Sequence, residues 1–222
     1  MKNGTTYATQ VKKAYAKLRH GRPKVEIPEP DDPVRRMAIA LLGVSTSDER
    51  GTQAVDKLLS VMTDWNEVRV STPFELCKAI GDGISDCMVR SQNLISALRS
   101  VYHLENKPSL ERVKTLGRRE ARQYLEQLNG MDDYAVASVV LWSLGGHAVP
   151  VNDALLGALR EADLVDPTAN RSEVQAFLER HVAAPEVKEF CLIFQTLVTE
   201  PRGLSSRSKS GLGTRGKKTQ DK

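Results

Sequence analysis

The sequence predicts an all-α protein, because apolar residues recur at helical spacing along almost the whole body of the 222-residue chain. Residues that favour helix starts, Ser, Asp and Asn, precede many of these apolar runs. Strand-like alternation occurs only at residues 67–70, which is too short to found a sheet. We therefore expect about nine or ten helices joined by short loops.

The first element is a short basic helix at residues 11–19, and a linker with four prolines follows it. Asp31 or Asp32 caps the first helix of the compact body, which carries Pro33 in its first turn and ends at Gly43. Residues 202–222 are rich in Gly, Ser, Lys and Arg, and this composition predicts a disordered basic tail. Further helices are expected at residues 47–62, 85–103, 117–128, 132–144, 152–162, 172–181 and 185–199.

Composition excludes some classes of protein. No run of about 18 apolar residues exists, so no membrane span is expected. The three cysteines, Cys77, Cys87 and Cys191, are an odd number without paired spacing. This argues against a disulfide framework and favours a reducing compartment. We expect a cytoplasmic protein, nucleoid-associated in a bacterium or nuclear in a eukaryote.

Charge is divided unevenly along the chain. The net charge of +4 consists of +7 from residues 1–24 and +6 from residues 202–222, which leaves −9 for residues 25–201. Basic ends on an acidic body are typical of electrostatic tethering to a polyanion such as DNA. The alternative is that Lys-rich ends serve solubility alone.

The most informative segment is residues 128–140, LNGMDDYAVASVV. It predicts one helix that ends at Leu128, a tight turn that contains Gly130, and a second helix with a small, closely packing face. Such a hairpin can hold a nucleic-acid phosphate at the backbone N–H groups of the second helix start without reading sequence. The alternative is an ordinary corner between two helices, with the glycine as a C-cap.

A second segment follows at residues 145–156, GGHAVPVNDALL. Together, residues 128–160 resemble the helix-hairpin-helix (HhH-GPD) DNA glycosylase superfamily, whose members run L-P-G-V-G-x-[K/Y/S]-T-A, then a helix, then V-D at a helix start. Residues 38–48, AIALLGVSTSD, are similar to the endonuclease III segment A-x-L-L-S-x-Q-x-T-D. Residues 64–69 and 121–128 look more like the plant 5-methylcytosine glycosylases. The resemblance can be followed over residues 33–200.

This resemblance implies two helical lobes with DNA in the cleft between them. Residues 33–146 form a bundle that includes the helix-hairpin-helix at about 117–145, and residues 147–201 complete a second lobe with the helix from residues 1–32. A base flips into the cleft, and a carboxylate stabilises the positive charge that develops on the sugar as the N-glycosidic bond breaks. The DNA-binding candidates are Asn129, Gly130 and Asp132 of the hairpin, and Ser45.

The position of the family's essential Asp falls on Asn152, whose neutral amide does not supply that charge. The neighbouring Asp153 is turned away by roughly 100° on a helix, so it takes the place only if the helix begins one residue later. The second interpretation of both residues is structural. Asn152 is then an N-cap, and Asp153 is a first-turn acid that complements the helix dipole.

Two further positions depart from the pattern. Tyr134 takes the place of the Lys that makes some members lyases, which disfavours strand cleavage and leaves open both glycosylase chemistry and simple packing. Ser45 stands where endonuclease III members place a Gln that fills the gap left by the flipped base, and a serine is too short for this.

No cofactor is expected. Glu200 takes the place of the first Cys of the family's iron–sulfur loop, so we predict no cluster. The three cysteines also lack the spacing of zinc ligands, so we predict no metal site.

Three functions remain in competition: a working monofunctional glycosylase that uses Asp153 or a water held by Asn152, a DNA-binding descendant that has lost catalysis, and a protein-interaction scaffold with an acidic body. A DNA-binding protein of the glycosylase superfamily, with its activity left open, ranks first, an active glycosylase follows closely, and the scaffold is a distant third. The expected partner is double-stranded DNA, and a monomer is expected.

Overall fold

The computed structural model describes residues 4–44 and 47–199, and this part of the chain is helical without a strand. The all-α prediction is therefore confirmed. The predicted tail at residues 202–222 and the candidate Ser45 lie outside the described residues. The helices are α1 (Gly4–Arg19), α2 (Pro33–Gly43), α3 (Asp48–Val61), α4 (Trp65–Val70), α5 (Pro73–Ile80), α6 (Cys87–Glu105), α7 (Arg118–Glu126), α8 (Asp133–Ser138), α9 (Asp153–Glu161), α10 (Arg171–His181) and α11 (Val187–Thr199).

Two elements differ from the sequence prediction. The alternating residues 67–70 belong to the helix α4, because the carboxylate of Asp64 accepts hydrogen bonds from the first backbone N–H groups of a helical turn. The helix α5 was not predicted. It begins with a capping box in which Thr72 and Glu75 satisfy each other's backbone N–H groups, with Pro73 in the first turn.

Helix α2 is the centre of a group of helices formed by α2 to α6 and α8. All of its residues except the two arginines are buried, and it packs against α3, α6 and α8. The contact with α3 is close, because Gly43 faces Gly51 and a Cβ on Gly51 would overlap the carbonyl oxygen of Ile39. Helix α8 continues without a break into a π-helical turn, residues 139–143.

The N-terminal helix α1 is longer than expected and packs on the last helix, α11. The ring of Tyr15 lies 5.4 Å from that of Phe190, and its hydroxyl donates to Glu189 at 3.2 Å. Arg19 pairs with the same carboxylate at 3.0 Å. Because α11 also packs on α9, both ends of the described chain lie in the group of helices that contains Asn152.

The expectation of no disulfide is wrong in one respect. The structure pairs Cys77 of α5 with Cys87 of α6, whose Cα atoms are 5.7 Å apart, within the range that a disulfide spans. The hairpin formed by α5 and α6 brings them together across ten positions of sequence, which spacing alone did not indicate. Cys191 is buried in α11, and burial raises the pKa of its thiol.

No helix of the described residues is long and apolar enough to cross a membrane.

Candidate functional site: the hairpin and the adjoining helix start

The hairpin turn, residues 127–132, is fixed on α6 and faces outward. Gly130 has a φ of +88°, and a Cβ there would overlap the backbone carbonyl of Asn93. The backbone N–H of Asn129 donates to the hydroxyl of Ser100 at 3.1 Å, while its side chain is exposed. Gly130 is therefore required by its conformation and by the close approach of α6, and it is not the residue that ends α7.

The start of α8 already holds a carboxylate. Asp132 is the N-cap, and its Oδ1 accepts from the backbone N–H of Ala135 at 2.8 Å. Its Oδ2 pairs with Arg171 at 2.8 Å. Asp133 is exposed, and its carboxylate accepts from the hydroxyl of Ser172. A phosphate that approached along the axis of α8 would meet two carboxylates, and among the described residues only that of Asp132 is paired with a cation.

The start of α9 holds a neutral amide in the same position. Asn152 is only 8% exposed, and its Oδ1 accepts from the backbone N–H of Leu155 at 2.8 Å. The helix begins at Asp153, whose backbone N–H donates to the carbonyl of Val44 at 3.1 Å. The side chain of Asp153 is 53% exposed and pairs with Arg171 at 3.2 Å. Asn152, rather than Asp153, occupies the capping position.

Tyr134 lies in a buried polar network. The residue is 2% exposed, and its hydroxyl donates to the carboxylate of Asp48 at the start of α3. The other oxygen of Asp48 accepts from Arg36 at 3.1 Å, and the Nε of Arg36 donates to Asp31 at 2.8 Å. The guanidinium of Arg36 also lies 5.9 Å from the ring centroid of Trp142.

In this network, Tyr134 is a neutral phenol. Burial raises the pKa of Tyr134 well above its ordinary value, and the neighbouring Asp48 raises it further. The phenol therefore stays protonated at neutral pH and donates a hydrogen bond. It does not offer the amine that a lyase needs to form a Schiff base with a sugar.

Arg171 joins the two helix starts. It contacts Asp132 of the hairpin and Asp153 of α9, which lie 21 positions apart in the sequence. The bond from Asp153 to the end of α2 brings Val44 to the same place. The structure thus gathers the start of α8, the start of α9 and the end of α2, and it places Tyr134 two residues from Asp132.

Sequence reasoning missed Asp48 and Arg171. Asp48 stood within the segment that resembles endonuclease III, so its motif position was a usable signal. Arg171 had no such signal, because nothing local to the start of α10 indicates which carboxylates it reaches.

The residues present do not fit an iron–sulfur cluster. Such a cluster takes four cysteine thiolates, whereas two of the three cysteines are paired and the third is buried in α11. Within residues 4–44 and 47–199, no group of three or more His, Cys, Asp or Glu side chains is arranged to hold a metal ion.

Comparison with known proteins finds similarity in structure only. No family model matches the sequence, and no curated protein matches it. A trapped endonuclease III–DNA covalent intermediate superimposes with a TM-score of 0.62 at 13% identity, covering 89% of this chain and 86% of the other.

Two other solved structures superimpose similarly. An 8-oxoguanine glycosylase/lyase of Clostridium acetobutylicum in complex with DNA gives a TM-score of 0.68 at 12% identity, covering 90% of this chain and 71% of the other. A 3-methyladenine DNA glycosylase of H. pylori gives 0.61 at 11% identity, covering 88% and 98%. At these identities the similarity establishes the fold: the chain has the all-helical fold of the helix-hairpin-helix DNA glycosylases that its sequence resembles.

Proposed function

We propose that this chain is a double-stranded DNA-binding protein of the helix-hairpin-helix glycosylase type that does not excise bases by the family's carboxylate chemistry. The observation that carries the proposal is the exposed hairpin turn, which Gly130 and Asn129 fix on α6. A rigid turn offers backbone groups to a phosphate without the entropy loss of ordering a loop. The basic segments at both ends of the sequence add electrostatic attraction.

The start of α9 is the basis for proposing that catalysis is absent. Asn152 is buried and caps the helix with an uncharged amide. A charged group aimed at an oxocarbenium-like centre is worth about 3 kcal/mol or more of barrier in comparable sites. Asp153 does not replace it, because its carboxylate is half exposed and paired with Arg171. Strand cleavage is not expected either, since Tyr134 is a buried phenol rather than an amine.

The test of DNA binding is the salt dependence of affinity. A fluorescein-labelled duplex is titrated with the full chain, and anisotropy gives the affinity at several salt concentrations. The logarithm of the binding constant should fall linearly with the logarithm of salt concentration, by about 0.9 for each phosphate neutralised. Removal of residues 203–222, which carry six basic side chains and Asp221, should lower this slope. Salt-independent binding would contradict the proposal.

A second candidate is a monofunctional glycosylase, and one observation favours it. Asp48 places a carboxylate on the hydroxyl of Tyr134 in the first turn of α8, so the region contains a carboxylate even without a charged residue at 152. The test is incubation with duplexes that carry uracil, mispaired thymine, alkylated bases or oxidised bases. Abasic sites would favour this candidate, and their absence across the panel would exclude it for those substrates.

Three expectations stay predictions within this proposal: a monomer, no cofactor, and a cytoplasmic location with nucleoid or nuclear association.

A further inference from the structure

A surface groove of 420 Å³ lies between the C-terminal half of α6 and the hairpin turn. We call it the α6 groove. The polar residues that line it are Ser96, Arg99, Ser100, His103, Gln127 and Asn129. The four from α6 recur at intervals of three and four, so they share one face of the helix. The hydrogen bond from Asn129 to Ser100 joins this face directly to the turn.

The charge of the α6 groove is opposite to that of the other side of the turn. Within residues 4–44 and 47–199, no acidic side chain lines the groove, and Arg99 and His103 are exposed. On the other side, the start of α8 carries Asp132 and Asp133. Arg171 of α10 pairs with Asp132. A polyanion that contacts the turn is therefore attracted to the groove and repelled from the axis of α8.

The cation of the groove is held in place. The Nε of Arg99 donates to the backbone carbonyl of Arg69 at 3.3 Å, which leaves the other guanidinium nitrogens for a ligand. Arg69 itself lies 3.8 Å from the ring centroid of Tyr102, on the same part of α6. A guanidinium held in this way offers two parallel N–H donors to phosphate oxygens. The hydroxyls and amides of the groove add further donors to phosphate.

We propose that the α6 groove binds backbone phosphates of DNA, so that the duplex reaches the hairpin from the side of α6 and not along the axis of α8. This inference rests on the proposed DNA-binding function. It goes further by naming the surface and by assigning the principal contact to Arg99.

The experiment compares Arg99→Ala with Arg119→Ala in the full chain, by anisotropy with the same duplex over a range of salt. Arg119 is an exposed arginine in the first turn of α7, about 12 Å along that helix from the hairpin turn. Arg99→Ala should weaken binding about three- to tenfold and lower the salt slope by about one, whereas Arg119→Ala should match the wild type. A second variant, Ser96→Glu, adds a carboxylate to the groove and should also weaken binding.

Each outcome decides the question. Arg99→Lys should restore part of the slope, and unchanged thermal unfolding of all variants excludes loss of fold as the cause. Wild-type affinity in both Arg99→Ala and Ser96→Glu would overturn the groove while leaving DNA binding intact. Equal losses in Arg99→Ala and Arg119→Ala would also overturn it, because they would indicate general attraction to positive charge. A wild-type chain that binds no duplex at low salt would overturn the proposed function, and the groove with it.

Discussion

The starts of α8 and α9 have the same capping geometry, but one cap is charged and the other is neutral. In each, one side-chain oxygen accepts from the backbone N–H three residues later at 2.8 Å. The cap of α8 is the carboxylate of Asp132, where the resembled motif has a glycine. The cap of α9 is the amide of Asn152, where that motif has an aspartate. Asp and Asn cap helices about equally well, so folding accepts either residue. DNA binding and base excision depend on the charge of the side chain, which differs between the two.

The largest expected effect comes from giving the cap of α9 the negative charge that it lacks. Asn152→Asp should keep the cap and place a carboxylate at the start of α9, which is bonded to the end of α2. Base excision should appear at about 10²-fold or more above the wild type, the scale of a removed electrostatic stabiliser in other enzymes. The measurement is the rate of abasic-site formation on the base panel.

The matched control is Asp153→Asn in the same background, which removes the neighbouring charge without touching the cap. Activity in Asn152→Asp that survives this control would assign the chemistry to position 152. No activity in Asn152→Asp would mean that the start of α9 lacks more for base excision than the charge at position 152.

Next in size is the loss of the hydrogen bond between Tyr134 and Asp48. Tyr134→Phe leaves one oxygen of a largely buried carboxylate without its donor, and this should lower the free energy of unfolding by about 1–3 kcal/mol. Thermal or urea unfolding measures it. Tyr124→Phe, which removes a different hydroxyl bonded to a carboxylate, Glu105, is a comparison at a less buried site. An unchanged stability of Tyr134→Phe would show that Asp48 is satisfied without the phenol.

The same substitution predicts a change in pH dependence. The pKa of Tyr134 is raised above its ordinary value of 10.0 in the folded chain, chiefly by burial. Its contribution to stability is therefore complete below about pH 10 and is lost as pH rises through the folded-state pKa. Wild-type stability should fall more steeply above pH 10 than that of Tyr134→Phe. Parallel curves would contradict this, because the other tyrosines with raised pKa values, Tyr15 and Tyr124, are present in both proteins.

The parts of this region that the sequence predicted are those with local causes. The helix class, the cap at Asn152 and the hairpin around Gly130 follow from spacing and capping residues a few positions apart. The contacts that define the site do not, since Tyr134 reaches Asp48 across 86 positions and Arg171 reaches Asp132 across 39. Helix α5 is a different case, because the Thr72, Pro73 and Glu75 signal was present in the sequence and was overlooked.

The equivalence of the two caps is itself testable. Asn152→Ala and Asp132→Ala should each lower the free energy of unfolding by about 1 kcal/mol, which shifts the Tm of a chain of this size by about 2–4 °C. Asn152→Asp should lose less stability than Asn152→Ala, because the cap is kept. Circular dichroism during heating measures all three. A loss of stability in Asn152→Asp as large as that in Asn152→Ala would show that the buried site does not accommodate a charge. Asp and Asn would then not be equivalent caps at this position.

The smallest expected effect is on DNA affinity, and it comes from removing the charge at the start of α8. Asp132→Asn keeps the cap and removes one negative charge beside the hairpin turn, so affinity for a duplex should rise about two- to fivefold at low salt and approach the wild-type value at high salt. Asp163→Asn makes the same charge change at the far end of α9, about 15 Å along that helix from Asn152, and its positive φ of 54° suits asparagine equally. A gain in Asp132→Asn alone would show that the carboxylate at α8 limits how DNA approaches the hairpin. Equal gains in both variants would attribute the effect to net charge, and an unchanged affinity in Asp132→Asn would mean that this carboxylate does not act on DNA bound at the hairpin turn.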